Sequence, residues 1–296
     1  MIYDIRHLTT YSYEAPVGFA RCTMRLIPTS SPGQKVLWSR LSITPAPSER
    51  RERVSFFGHV VVTVTIETPH SELSVEAHSR VDVDREGQMG LFLGRGWEDI
   101  RAEAFASNAL SAASPAHYLY PSRLVSLDPA ITAYAERSFT QGRPLLEAAD
   151  DLTGRIKAEF AYDTKATAVS TPLKEAFEHR RGVCQDFAHI MIAGLRGLGL
   201  PAAYVSGYLR TVPPPGQKRL EGADATHAWV AVWAGSDLGW IGFDPTNNMR
   251  ALNDHIDLAT GRDYADISPV DGVILGAGDQ DLDVKVDVVP VGAAGA

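Results

Sequence analysis

The chain has 296 residues, enough to bury a sizeable core, and its 45% hydrophobic and 22% charged content is that of an ordinary globular protein. A net charge of −8, with no Lys/Arg cluster interleaved with aromatics, argues against nucleic acid or an anionic membrane surface as a partner. Two cysteines, Cys22 and Cys184, exclude a disulfide framework, and the longest apolar stretch, around 191–209, is broken by Arg196 and Pro201 before it could span a bilayer. The opening MIYDIRHLTT lacks a basic segment followed by an apolar run, so the expectation is a reduced, cytoplasmic protein with no membrane contact.

Up to about residue 85 the pattern has period two. Val60, Val62, Val64 and Ile66 alternate with Val61, Thr63 and Thr65, and Leu73, Val75 and Ala77 alternate with Ser74, Glu76 and His78. Cys22 shares its phase with Met24 and Leu26, which reads as a core strand position. Several such strands separated by Pro and Gly turns make a sandwich or small barrel. From about residue 97 helical patterns begin. Asp128-Pro129 caps ITAYAERSF, and LLEAADDLTGRIKAEF over 145–160 carries one apolar stripe. The architecture expected is therefore α+β, with a β-rich domain over 1–90, a mixed core over 91–280, and a final strand and frayed tail over 281–296.

Thr171-Pro172 starts a short helix, PLKEAFEHRR, which Gly182 can end in the left-handed conformation. The next helix then begins at about Val183 or Cys184. Its apolar positions Phe187, Ile190, Met191, Leu195 and Leu198 form one face, and Gly199 with Pro201 stops it. Cys184 thus falls among unpaired backbone N–H groups at the positive end of a helix, where a thiolate is favoured and a carbonyl oxyanion can be bound. The alternative is a buried helix cysteine with no chemistry.

Two further stretches bear on that choice. HAWVAVWA over 227–234 and GWIGFD over 239–244 read as an antiparallel hairpin. Parity decides whether the hairpin can carry a catalytic pair. A two-residue loop sets Asp244 opposite His227, a four-residue loop sets it opposite Trp229 on the same face, and an odd loop without a bulge parts them. A carboxylate beside an imidazole fixes its tautomer, the role of the third member of a catalytic triad. The loop 211–226, with three consecutive prolines, precedes His227 as a connection that can border a cleft.

In this order GVCQDFAH, LGLPAAYVSGYL, THAWVAVW, GWIGFDPTNN and HIDLATGRDYADISPVDG resemble the transglutaminase-like core of bacterial cysteine proteins. YDIRHLTTYSYEAPV resembles the β-rich amino-terminal domain that accompanies it. The likeness spans most of the chain. SFFGH at 55–59 departs from the family pattern, which has an acidic residue before the aromatic and Asn after the Gly. The resemblance implies a papain-like core, with Cys184, His227 and Asp244 as nucleophile, base and orienter. It also implies a side-chain oxyanion donor, in the family drawn from upstream of the cysteine, for which Tyr162 and, directly after the cysteine, Gln185 are candidates without an assigned role. The activity implied is cysteine-dependent acyl transfer on a peptide or protein amide, with hydrolysis favoured over transglutamination. The alternative is a non-catalytic peptide- or partner-binding module on the same scaffold.

No cofactor or metal is expected. No calcium loop is visible, and a zinc set of Cys184, Asp186, His189 and His227 is disfavoured because Cys184 and His189 point about 140° apart on a helix. Asp263, Tyr264 and Asp266 have a spacing that assigns no role. Nothing in the sequence fixes the oligomeric state.

Overall fold

The computed structural model describes residues 1–85, 94–168, 170–211, 222 and 224–292. The first part is a sandwich of two antiparallel sheets. Its strands are β1 (Ile2–Val17), β2 (Phe19–Met24), β3 (Gln34–Thr44), β4 (Glu49–Val54), β5 (Val60–Ile66) and β6 (His70–Val83). The alternation read in the sequence matches the observed burial from Val62 on, with Val62, Val64, Ile66, Leu73, Val75 and Ala77 lining the core beside Cys22, Met24 and Leu26; at the start of β5 it fails, since Val61 is buried and Val60 only half-buried. Such period-two burial is what a sheet with one solvated face demands.

The helical part follows. α1 (Trp97–Ala106), a single 3-10 turn (Pro115–Tyr118), α2 (Pro129–Glu136) and α3 (Leu145–Glu159) lead to the two-residue strand β7 (Ala161–Tyr162). Asp128 caps α2 as its sequence suggests, accepting from the N–H groups of Ala130 at 2.7 Å and Ile131 at 3.4 Å. Then come α4 (Leu173–His179), β8 (Arg181–Gly182) and α5 (Cys184–Gly197). The left-handed residue that ends α4 is Arg180, with φ 53°, not Gly182. Gly182 is needed for space instead, since a Cβ there would meet Asp186 Oδ2 at 2.5 Å.

The core sheet is built from β9 (Ala202–Leu209), β10 (Ala225–Trp233), β11 (Trp240–Asp244), β12 (Met249–Arg250) and β13 (His255–Gly261), in the order β12-β11-β10-β9-β13. Interior strand β9 is buried along nearly its whole length, because one end packs on the helices and the other on the sandwich. α5 is buried from Asp186 to Arg196 and packs on β9 and β10, with Ala228, Val230, Val232 and Phe243 in the same cluster.

The chain ends back at its beginning. After α6 (Tyr264–Ile267), β14 (Val270–Leu275) pairs with β2, and β15 (Gln280–Pro290) pairs with β1. The sandwich sheets therefore read β15-β1-β6-β3 and β14-β2-β5-β4. This differs from the sequence expectation, which kept residues up to 280 with the core: Val270–Leu275 belongs to the amino-terminal sandwich, since β2 has an open edge that β14 satisfies. The stretch 86–93, where the first boundary was expected, and most of the proline-rich loop, 212–221 and 223, lie outside the described residues, as does the tail 293–296. No helix among the described residues is long and apolar enough to cross a membrane.

Candidate active site

Cys184 is the first residue of α5 and is half-buried. Val183 is the N-cap, and Asp186, three residues on, turns back so that its Oδ2 accepts the Val183 N–H at 2.8 Å and the Thr167 hydroxyl at 2.6 Å. That is half of a capping box, with the carboxylate also set favourably at the positive helix end. The acid is thus spent on holding the helix start, and Cys184 stands next to unpaired backbone donors.

The hairpin answers the parity question. Trp233 pairs with Trp240 and Val230 with Phe243, a register that sets Asp244 across from Trp229 and diagonal to His227 on the same face. His227 Nε2 lies 2.8 Å from Asp244 Oδ2. Asp244 has no exposure and His227 is 8% exposed, so neither group is dissolved by water. The Asp244 carboxylate also takes the backbone N–H groups of Thr246 and Asn247 on Oδ1, and the Asn247 side-chain amide on Oδ2 at 2.8 Å.

Electrostatics follow from these contacts. Burial pushes the Asp244 carboxyl up, but hydrogen bonds from His227, His255 and Asn247 overcome it and hold the group well below the usual carboxylate range. For His227 burial favours the neutral ring, yet hydrogen bonds to Asp244 and to the Cys184 thiol prevail and raise the pKa to about 9. With Nε2 committed to Asp244, Nδ1 is the ring atom left for the thiol. Cys184, His227 and Asp244, singled out from three distant stretches, are therefore neighbours.

The other candidates divide. Tyr162 pairs with Gly182 in the short β7–β8 ladder, is 54% exposed, and has its phenol pushed up by burial and by the Cys184 sulfur beside it. Gln185 is half-buried in the first turn of α5. His189 takes no part in a metal set: its Nε2 accepts the Tyr264 N–H at 3.2 Å, and burial lowers its pKa to about 4. Asp263 is almost fully buried, capping α6 and accepting the Leu124 N–H at 2.7 Å, while Asp266 pairs with Arg262.

One residue of the site escaped the sequence reading. His255, at the start of β13, places Nε2 3.1 Å from Asp244 Oδ2. His227 Nε2, Asp244 Oδ2 and His255 Nε2 lie within 4.8 Å of one another, a set that can hold a metal in other proteins. Here both nitrogens stand at hydrogen-bond distance from the oxygen, closer than the roughly 3.3 Å separating ligands of a tetrahedral zinc. The Asn247 amide, 3.4 Å from His227 Nε2, donates into the same space. The arrangement is that of N–H groups converging on a carboxylate.

Residues 3–82 match the bacterial transglutaminase-like N-terminal region, and residues 132–245 match the transglutaminase-like superfamily. An uncharacterized protein of Mycobacterium tuberculosis is 37% identical over 296 residues, covering 97% of this chain and 92% of its own length. The chain belongs to the bacterial transglutaminase-like family. A second relative, from Mycobacterium leprae, is 31% identical over 284 residues, with 95% and 96% of the two chains covered. The family fold extends to a candidate cysteine protease from Cytophaga hutchinsonii, with a TM-score of 0.75 at 22% identity over 100% of this chain and 92% of that one. A shorter match, 36% identical over 90 residues, is to a protein-glutamine gamma-glutamyltransferase of Pseudomonas aeruginosa and covers 29% of this chain and 13% of that protein. Transglutaminase-like proteins are a cysteine-based acyl-transfer family acting on peptide and amide substrates.

Proposed function

We propose that the protein is a cysteine peptidase or amidase that works through Cys184, His227 and Asp244. Cys184 attacks the carbonyl carbon of a peptide or side-chain amide, His227 Nδ1 carries the thiol proton to the leaving amine, and Asp244 holds the imidazole through Nε2. The backbone donors at the start of α5 receive the oxyanion. Water then opens the thioester, giving the acid and the free thiol. What supports this reading is the 2.8 Å contact of His227 Nε2 with the fully buried Asp244 carboxylate, together with Cys184 at the start of α5 among the groups acting on the same imidazole. Hydrolysis is preferred because water completes it without a second binding site. The likeness over 90 residues to a protein-glutamine gamma-glutamyltransferase favours capture by an amine as the second reading.

The deciding experiment is mass spectrometry after incubation with a peptide library and a primary amine. Cleaved fragments or a gain of about one dalton on glutamine indicate hydrolysis, and an amine adduct indicates transglutamination. Cys184→Ala is expected to abolish every product; turnover that survives this change refutes the enzyme. A non-catalytic scaffold would yield no product from either protein.

A further inference from the structure

Asp244 Oδ2 is shared by two imidazoles that arrive from different strands. β10 supplies His227 at 2.8 Å, β13 supplies His255 at 3.1 Å, and the turn after β11 adds the Asn247 amide at 2.8 Å. The register explains how they meet. Gly207 of β9 pairs with both His227 and Asp257, so alternation puts His227, Trp229, Asp244 and His255 on one face of the sheet. Trp229 packs against both histidines, stacked on His227 at 6.1 Å and 28° and edge-on to His255 at 5.1 Å and 78°, while the two imidazole centroids are 6.1 Å apart. A Cβ at Gly207 would stand 2.5 Å from Trp229 Cη2, so the glycine allows this layer to form.

An ionised carboxylate is acceptor-only, so both ring nitrogens facing Oδ2 must carry hydrogen. His255 is 1% exposed, and its backbone is fixed on both sides: its N–H donates to Leu252 O at 3.1 Å, and its carbonyl accepts from Arg85 Nη1 at 2.7 Å. It has little freedom to do anything but donate. A carboxylate with no exposure has no water to keep it ionised, and each protein donor it loses weakens the charged form.

From this we infer that His255 is a positioning residue of the active site, whose Nε2–H keeps Asp244 ionised and aimed at His227. The inference rests on the triad reading above. The titratable groups facing this carboxylate are His227 from β10 and His255 from β13, with Cys184 of α5 beyond His227. Arg85 reaches only the backbone of His255 and is itself paired with Asp257 at 2.7 Å. Removing the His255 donor makes Asp244 easier to protonate, and His227 then loses its counter-charge at a higher pH than in the unaltered protein.

The test is the pH profile of iodoacetamide labelling at Cys184 in two crossed variants. His255→Phe keeps a flat ring against Trp229 and lacks the N–H; His255→Gln keeps an N–H near the same point and lacks the ring. The expected result is an acid limb moved up by about one pH unit in His255→Phe, with labelling about tenfold slower below it, and an unmoved limb in His255→Gln. An unmoved limb in folded His255→Phe, or a limb in His255→Gln moved as far as in His255→Phe, overturns the inference. If His255→Phe does not fold, His255→Met, which likewise lacks the N–H, takes its place: a limb moved up supports the inference and an unmoved limb overturns it. Failure of the triad reading looks different: Cys184 would then resist labelling near pH 6 in the unaltered protein.

Discussion

The His227–Asp244 contact joins two groups whose ionisation is shifted in opposite directions, and that fixes how the site responds to pH. His227 is raised from 6.5 to about 9, so the stability it lends is complete below pH 6.5 and drains away as pH rises through about 9. Asp244 is lowered from 3.8, so its contribution is present above that value and is lost as pH falls. Both act together between about pH 4 and 6.5. Asp244→Asn is therefore expected to destabilise most at pH 5.5 and least at pH 9.5, measured as the urea midpoint against the unaltered protein. An equal loss at both values would mean that packing, not charge, links the pair. Turnover should fall by about 10²- to 10⁴-fold, because the amide cannot hold the Nδ1-free tautomer or offset imidazolium charge. At this scale the sequence was most legible where chemistry coincides with a local signal. Cys184 had a helix start and His227 with Asp244 had a hairpin whose parity could be tested. His255 had only a strand start like many others, and its partner lies across a sheet whose order no local pattern reveals.

Elements set the surroundings of the Cys184 thiol at the start of α5. Asp186 Oδ2 takes both the Val183 N–H and the Thr167 hydroxyl, and Gly182 leaves the room for it to do so. Asp186→Ala removes the cap and is expected to cost about 1–2 kcal/mol in urea unfolding, with slower labelling of Cys184 as the first turn frays. Gly182→Ala should reproduce the labelling defect, since its methyl would displace the same carboxylate. If Gly182→Ala labels normally while folded, the cap does not govern the thiol. The helix itself was readable from its three- and four-residue spacing and its stop at Gly199. The preceding cap was not: the sequence offers Gly182 as the left-handed residue, and Arg180 takes that conformation, its guanidinium lying 4.2 Å from the Phe177 ring centroid and 4.5 Å from that of Phe160. Glycine is favoured at such a position by sterics, but cation–π contacts with neighbouring rings can offset a strain of about 1 kcal/mol.

At the scale of the molecule, the sandwich and the core are bound as one body by β13 and by the chain's return. Tyr208, Ile256 and Leu258 of the core sheet sit in the sandwich's hydrophobic cluster, and the Gln34 side chain exchanges two 2.8 Å hydrogen bonds with the backbone of Asp257. β15 was legible as a final strand from its alternation, but β14 was not read as a strand, and neither strand's partner, more than 240 residues away in sequence, could be read. Long-range pairing leaves no local trace. Arg85 marks the joint most sharply: it is 5% exposed and carries its charge against Asp257 at 2.7 Å and two backbone carbonyls. Asp257→Ala strands that charge and is expected to cost about 3–5 kcal/mol in urea unfolding. Arg85→Met on the same background should recover most of the loss, because the cost lies in the unpaired cation and not in the missing pair. The two parts should also unfold in a single transition in every variant that keeps β13 in place. A double variant no more stable than Asp257→Ala, or a melt resolving into two steps in the unaltered protein, would show that the joint between sandwich and core is held by something other than this pair and the cluster beneath it.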